Sequence, residues 1–341
     1  MSKVTMQDIA DALDISRVSV WKVLNQHAGV SEDLKKNVME KANEMGYFAK
    51  TASIIEPIAS PLPEKTVSLI VSRPDSSTFW TNIIHRLAQE LSYHNINLLY
   101  TYMPTAYAPG FTLPALLTNG TVQGALVLNV YDSNLIQLIN ELTIPTVFLD
   151  TVPDLNCRDL KGDLMLIEGF SSVYEITESV IQRGIHEIGF IGDIHYAKTN
   201  LDRYRGFCSC MENYNLPLKE EFCLTHSIGI FSYYQELSDF LDSLPTLPKA
   251  IICASDYIAH YLRAYFSEHE DRIPDGIVIT GFDGSNEYTN IDGLITTANV
   301  KTSLLGKRLS MQLIYRMEHC DAPYELTYIN PDIIYRDSIL H

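Results

Sequence analysis

The chain has 341 residues, 46% of them apolar, and a formal net charge of −17. This length predicts two or three domains, and the apolar fraction suffices for sizeable cores. No run of about 18 uncharged apolar residues occurs, and the N-terminus has no basic start followed by an apolar stretch, so neither a membrane span nor a secretory signal is expected.

The six cysteines are scattered and lack the Cys-x-x-Cys or Cys/His spacing of a zinc site. The histidines lie in separate predicted elements and show no His-x-x-x-His spacing. We therefore expect no metal and no cofactor. Free thiols in a chain without a signal favour a cytoplasmic location.

Residues 5–25 contain two short helical patterns separated by a tight polar turn. Each pattern has apolar residues at helical spacing, namely Ile9, Ala10 and Leu13 in the first and Val20, Val23 and Leu24 in the second. Ser16 stands at the N-cap position of the second pattern. Together the patterns predict a helix-turn-helix, whose second helix enters the major groove of DNA.

A third helix is predicted over residues 31–45, where Ser31 provides the N-cap and Gly46 follows the last turn. These three helices would form a DNA-binding headpiece over residues 1–48. Residues 49–65 contain Pro57, Pro61 and Pro63, which exclude a regular helix. We therefore expect this segment to be a linker.

Residues 66–341 alternate short apolar strands with amphipathic helices, of which the first is predicted over residues 79–94. The strands are predicted at residues 67–71, 98–102, 124–128, 146–149, 188–191, 250–253 and 277–280. This alternation predicts an α/β body with doubly wound parallel sheets. Ligands bind such sheets beyond the carboxyl ends of the strands. The polar residues that directly follow strands are therefore candidate site residues, namely Asp150, Asp193, Ser255, Asp256 and Asp283.

Several segments together resemble the lactose/galactose repressor family of bacterial transcription regulators, nearly from end to end. They lie at residues 4–10, 20–25, 30–31, 46–47, 144–150, 184–192, 203–207, 254–256, 281–283, 294–297 and 335–338. The resemblance implies a helix-turn-helix headpiece and a two-lobed body like the periplasmic sugar-binding proteins. It implies an effector-binding and dimerisation body over residues 66–341, with one lobe at 66–153 and 297–322 and the other at 154–296 and 323–341. A homodimer, or a tetramer built from two dimers, would place two recognition helices on one palindrome.

The resemblance assigns DNA contacts to Thr5, Ser16, Arg17, Val18, Ser19, Trp21, Lys22 and Asn25. Arg17 is the best candidate for reading a base, with guanine its usual partner. Trp21 replaces a small hydroxyl residue of the family, and Lys22 replaces an Arg that would hold a guanine bidentately. The simpler interpretation is a solvated helix face. Residues 1–50 balance seven basic against seven acidic residues, so we expect weak and salt-sensitive affinity for DNA.

The linker departs further from the family, which has a short hinge helix there with a Leu wedged into the minor groove. In this chain the wedge position falls on Glu56, followed by Pro57. A carboxylate is repelled by the phosphates of DNA. We expect either no ordinary hinge helix or a displaced one in which Ile54 or Ile55 acts as the wedge.

The resemblance and the strand-end rule together assign the effector site, between the lobes, to Ser72, Phe79, Trp80, Asp150, Arg203, Phe231, Ser255, Asp256 and Asp283. Asp150 and Asp283 would accept hydrogen bonds from ligand hydroxyls, and the guanidinium of Arg203 suits sugar hydroxyls or a phosphate. The simpler interpretations are helix capping for the acids, an ordinary ion pair for Arg203 and core packing for the aromatic residues. A sugar, a sugar phosphate and a nucleobase all remain compatible with this residue set.

The sequence thus predicts an allosteric, ligand-responsive transcription regulator, a repressor of carbohydrate-use genes that binds a palindromic double-stranded operator. The effector would be a sugar or a sugar derivative. The alternative is a sugar-sensing body with weak or partner-dependent DNA binding. An enzyme is not expected, because no nucleophile, base and orienting residue form a recognisable set.

Overall fold

The computed structural model describes residues 4–24, 30–45, 47, 65–72, 77–229 and 232–339. The chain divides into two compact units, Met1–Glu64 and Lys65–His341. The predictions for Asn25, Gly46, Phe231 and linker residues 49–64 concern positions outside the described residues.

The described residues of the first unit form three helices, α1 (Met6–Leu13), α2 (Arg17–Leu24) and α3 (Glu32–Glu44). They pack around a small buried core of Ile9, Ala10, Val20, Val23, Val38 and Ala42. The helical periodicity of the sequence therefore predicted these helices and their inward faces correctly. Asp14 adopts a left-handed φ of 51° at the end of α1, which allows the tight turn into α2.

The second unit contains seven helices within its described residues. They are α4 (Thr78–Tyr93), α5 (Ser133–Asn140), α6 (Phe170–Ile181), α7 (Lys198–Asn213), α8 (Tyr233–Ser243), α9 (Asp256–Glu268) and α10 (Thr302–Glu318). The strands are β1 (Lys65–Val71), β2 (Ile96–Tyr102), β3 (Gly124–Leu128), β4 (Thr146–Leu149), β5 (Asp163–Ile167), β6 (Ile188–Ile191), β7 (Cys223–Leu224), β8 (Ala250–Cys253), β9 (Val278–Asp283), β10 (Thr296–Asn299), β11 (Leu326–Ile329) and β12 (Asp332–Ile334).

These strands form two six-stranded sheets. The first sheet has the order β11-β5-β4-β3-β1-β2 and the second has the order β12-β10-β9-β8-β6-β7. All pairings are parallel except that of β12 with β10. We call each sheet with its covering helices a lobe, α4 and α10 packing on the first sheet and α6 and α9 on the second. The predicted α/β class with doubly wound parallel sheets is confirmed.

The sheet membership of three strands differs from the predicted lobe ranges. β5 and β11 belong to the first sheet although the sequence placed them in the second lobe, and β10 belongs to the second sheet. The chain therefore crosses between the lobes after β5, after β10 and between β11 and β12. Parallel partners are distant in sequence, as where Leu326 lies opposite Leu164, so chain order alone could not reveal them.

A buried ion pair ties α10 to the first sheet. The guanidinium of Arg316 donates to both carboxylate oxygens of Asp163, at 2.6 Å and 3.1 Å, and both side chains are almost fully buried. Gln312 Nε2 and the Glu325 backbone N–H also donate to this carboxylate, at 2.7 Å and 2.9 Å. Such a fully hydrogen-bonded pair fixes β5, α10 and the approach to β11 in one arrangement.

In the part of the chain that the structure describes, no helix is both long enough and apolar enough to cross a membrane.

Candidate functional site

The exposed face of α2 carries four of the eight residues predicted to contact DNA. Arg17, Val18, Trp21 and Lys22 are all exposed, whereas Val20 on the opposite face is fully buried. Val18 retains 61% and Trp21 43% of its possible exposure. Large apolar side chains that stay exposed beside two cations suit a surface that a partner covers.

The hydroxyl residues at the helix starts have structural roles in this unit. Ser16 accepts a hydrogen bond from the Ser19 N–H at 3.1 Å, and the two hydroxyls lie 2.9 Å apart. Thr5 accepts from the Asp8 N–H at 3.3 Å while Asp8 accepts from the Thr5 N–H at 2.7 Å, so the two residues form a capping box. The hydrogen bonds that the Thr5 N–H and the Thr5 hydroxyl donate to the Asp8 carboxylate lower the pKa of Asp8. A DNA contact by Thr5, Ser16 or Ser19 stays a prediction.

The second candidate site lies where strands of both lobes end. Asn129 follows β3 with a φ of 55°, Asp150 follows β4 with a φ of 65°, and Asp283 ends β9 with a φ of 109°. Left-handed backbone is costly for residues other than glycine, and it concentrates at functional sites where the surrounding fold enforces it. The three strand ends therefore present their polar side chains in strained, fixed positions.

Asp150 links the two lobes. Its carboxylate accepts hydrogen bonds from the Thr199 hydroxyl, from the Thr199 N–H at 3.3 Å and from the Thr151 N–H at 2.8 Å. Thr199 belongs to the first turn of α7, which follows β6 of the second sheet. Burial raises the pKa of Asp150, and the bonds from Thr199 and Thr151 and the charge of Arg203 oppose this rise.

Arg203 lies buried among acidic side chains. Its guanidinium carbon sits 3.7 Å from the centre of the Phe282 ring, Nη1 donates to the Ala254 carbonyl, and Nη2 lies 4.0 Å from Asp283 Oδ1. Burial lowers the pKa of Arg203, while the charges of Asp283 and Asp150 raise it. Its Nε–H has no partner among the described residues. This buried donor is therefore available to a ligand.

Ser255 and Asp256 are occupied by the framework of the second lobe. Ser255 caps α9 and accepts from the Ile258 N–H at 3.4 Å. Asp256 accepts from the Ser285 N–H at 2.6 Å and from the Thr297 hydroxyl at 2.8 Å. Burial raises the pKa of Asp256 to about 6, against these hydrogen bonds. The simpler interpretation thus explains their present contacts, and a ligand contact by either residue stays a prediction.

The remaining predicted residues are distributed unevenly. Ser72 is buried at the end of β1, and its hydroxyl has no hydrogen-bond partner within the described segments. Phe79 and Trp80 pack edge to face at 5.3 Å between ring centres, and both rest partly buried on the core. Asp193 accepts from the His195 N–H at 2.8 Å and so stabilises a turn.

Sequence reasoning missed two tyrosines and two threonines around the strand ends. The rings of Tyr131 and Tyr196 lie 4.2 Å apart, and the Tyr196 hydroxyl donates to Asn129 Oδ1 at 2.9 Å. The buried hydroxyls of Thr151 and Thr280 have no partner in the described ranges. The strand-end rule could have found Asn129, which directly follows a predicted strand, and Tyr131 and Thr151, which lie within three residues of the end of one.

No group of three or more His, Cys, Asp or Glu side chains that could hold a metal ion occurs among the residues described.

Comparisons with known proteins agree with this architecture. A model of the periplasmic binding protein-like domain matches residues 177–339. The HTH-type transcriptional regulator RegA of Clostridium saccharobutylicum is 26% identical over 347 residues, which span 98% of this chain and 99% of that protein.

Solved structures show the same fold. The transcriptional regulator CelR in complex with cellobiose has a TM-score of 0.67 at 19% identity, covering 98% of this chain and 99% of that one. The lac repressor dimer bound to operator and the anti-inducer ONPF has a TM-score of 0.65 at 16% identity, covering 99% of each chain.

A helix-turn-helix unit followed in one chain by a two-lobed, periplasmic-binding-protein-like body defines the class of ligand-responsive transcription regulators. Within that class, the chain is similar over nearly its whole length to regulators of the lactose/galactose repressor family.

Proposed function

We propose that this protein is a repressor of carbohydrate-use genes that binds a palindromic operator as a homodimer and responds to a sugar bound between its lobes. One observation carries the effector part. Arg203 is buried between Asp150 and Asp283 with its Nε–H unpartnered in the described structure. Alternating carboxylates and a guanidinium match the donors and acceptors of sugar hydroxyls.

The effector acts by shifting a population of lobe arrangements. Thr199 of the second lobe donates hydrogen bonds to the Asp150 carboxylate of the first lobe. A sugar hydroxyl that binds this carboxylate in place of Thr199 would remove a contact between the two lobes. The operator affinity then changes by the difference in effector affinity between the two arrangements.

The DNA part rests on the exposed face of α2. Arg17 and Lys22 supply the positive charge, with Arg17 directed at a guanine, and Val18 and Trp21 supply apolar contact. The chain acts by binding without turnover of its effector, in the cytoplasm, where its operator lies. Relatives support these assignments by analogy, because CelR was solved with cellobiose and the lac repressor as a dimer on its operator.

The test combines two measurements on the full-length protein. A thermal-shift screen of neutral sugars and sugar phosphates finds compounds that raise the melting temperature. Fluorescence anisotropy then measures binding to palindromes from the region upstream of its own gene, with and without each compound. We expect specific binding at low salt that a stabilising sugar changes at least about tenfold, the usual scale of allosteric coupling. Absence of specific binding to every palindrome, with or without sugars, refutes the proposal.

The neutral charge of residues 1–50 favours a second candidate, in which the body senses a sugar but the headpiece binds DNA only with a partner protein. This candidate predicts sugar-induced thermal shifts without specific operator binding by the pure protein. Restored binding on addition of a cell extract would then favour it over the first.

A further inference from the structure

The three crossings between the lobes border a partly open cavity of about 220 Å³. Its walls come from every crossing, with Ile167 at the end of β5, Val300 and Leu305 around the start of α10, and Ile329 at the end of β11. We call it the hinge cavity. None of its lining residues belongs to the candidate effector site, so it is a separate place in the body.

The hinge cavity is apolar apart from a few groups, and its charge is positive. Lys301 is already paired, since its Nζ lies 2.5 Å from Asp332 Oδ2. Arg308 is half-buried and donates one N–H to Gln312 Oε1 at 2.7 Å. Within the described part of the chain, no carboxylate lies within ion-pair distance of Arg308. A guanidinium beside apolar walls therefore lacks a counter-charge.

We propose that the hinge cavity binds a small organic anion, a carboxylate on a short aliphatic or aromatic body. The carboxylate pairs with Arg308, and the apolar body fills the space between Ile167, Val300 and Ile329. Bidentate pairing of a guanidinium with a carboxylate is the strong form of this contact. The cavity is smaller than the roughly 300–1,000 Å³ of drug-sized pockets, so a single ring or a short chain is the size that fits.

The position of the hinge cavity makes it a second effector site. Since all three crossings contribute walls, a rotation of one lobe against the other changes the shape of the cavity. A ligand that fits the present shape favours the present lobe arrangement. By linkage, a ligand in the hinge cavity changes the affinity of the effector site for its sugar by a certain factor. The sugar then changes the affinity of the hinge cavity for its ligand by the same factor.

The experiment is isothermal titration calorimetry of the full-length protein with benzoate. Benzyl alcohol serves as the uncharged analogue and acetate as the anion without an apolar body. We expect benzoate to bind with a Kd of about 1 mM, as few ligand atoms allow, and both analogues to bind at least about tenfold more weakly. Equal binding of benzyl alcohol and benzoate, or no binding of benzoate, overturns the proposal.

Two pairs of variants locate the site. Arg308→Gln should weaken benzoate binding at least about tenfold, whereas Lys307→Gln removes the same charge from the neighbouring exposed position and should change binding less than about twofold. Leu304, which is 61% exposed at the rim, gives a pair that cannot disturb the core. Leu304→Glu should abolish binding, and Leu304→Gln should retain it. Equal effects within either pair, or loss of binding in Arg203→Met alone, overturn the proposal.

Discussion

The proposed recognition helix and the candidate effector site depart from the usual rule of burial in opposite directions. Helix α2 keeps the apolar side chains of Val18 and Trp21 exposed. The effector site buries charged groups, and it leaves the Ser72 hydroxyl and the Nε–H of Arg203 unpartnered in the described ranges. The exposed apolar side chains and the unpartnered buried groups each cost free energy in the protein without ligands. Binding of a partner at each place removes that cost. Under the proposed function, operator DNA would cover the exposed side chains of α2, and an effector would complete the buried hydrogen bonds.

The two regions also differ in the size of the hydrophobic core that supports them. Six buried side chains form the core of the headpiece, whereas two sheets and their helices surround the effector site. A small core leaves little stability in reserve. Buried polar groups are therefore tolerated in the body, and the headpiece confines its polar residues to caps and surface.

The largest expected effect comes from removing a satisfied buried charge in the body. Asp163→Ala leaves Arg316 buried without its partner, and we expect a loss of about 3–5 kcal/mol in unfolding free energy. Glu187→Ala, which removes an exposed and solvent-screened pair with Lys219, should cost far less. Urea denaturation followed by circular dichroism measures both. Similar losses of unfolding free energy in the two variants would show that the buried Asp163–Arg316 pair does not stabilise the protein more than an exposed pair does.

The next effect concerns pH. The pKa of Asp256 is raised to about 6 by burial, above its unfolded value near 3.8. Folding therefore favours the protonated form, and the associated stability is present below about pH 4 and is lost as the pH rises to about 6. We expect this residue to contribute a fall of up to about 3 kcal/mol over that window. Denaturation profiles of the wild type and of Asp256→Asn should differ by that slope, and parallel profiles would contradict it.

The third effect concerns ligand affinity. Arg203→Met should weaken sugar binding at least about tenfold, because the buried donors between the acids are lost. Arg205→Met changes an exposed Arg on the same helix, paired only weakly with Asp202, and should leave affinity within about twofold. Calorimetric titration with a sugar found by thermal shift gives both constants. A similar loss in the two variants would mean that general charge, and not the cleft, governs binding.

The smallest effect should appear at the exposed face of α2. Trp21→Ala should change headpiece stability by no more than about 0.5 kcal/mol, since the side chain is partly exposed, but should weaken operator binding about tenfold. Met39→Ala, which alters an exposed apolar residue of α3, should change neither quantity. Anisotropy and thermal denaturation separate the two. Unchanged operator affinity for Trp21→Ala would favour the solvated-face interpretation.

The sequence predicted local features well and long-range ones poorly. The periodicity around Val20 and the cap at Ser16 gave the headpiece helices, because both signals lie within a few residues. Four strands, including β3 and β8, have their predicted bounds, since each is a short apolar run between turns. The strands β5, β7, β10, β11 and β12 were missed; β11 and β12 alternate or are largely exposed, and their pairing depends on distant partners.

The candidate site divides in the same way. Asp150 and Asp283 were predicted because they lie just past the ends of predicted strands. The bond of Asp150 to Thr199 could not be foreseen, because it joins residues 49 positions apart across two sheets. Asp256 also followed a strand, yet its bonds to Ser285 and Thr297 depend on how β10 pairs with β9.

The placement of β11 in the first sheet has a consequence for synthesis on the ribosome. Residues through Glu44 complete the three helices of the headpiece, whereas the first lobe needs α10 and a strand that ends at Ile329. A nascent chain can therefore complete its three headpiece helices almost 300 residues before it can close the first lobe. A chain that stalls late in translation would carry the DNA-reading unit without its control.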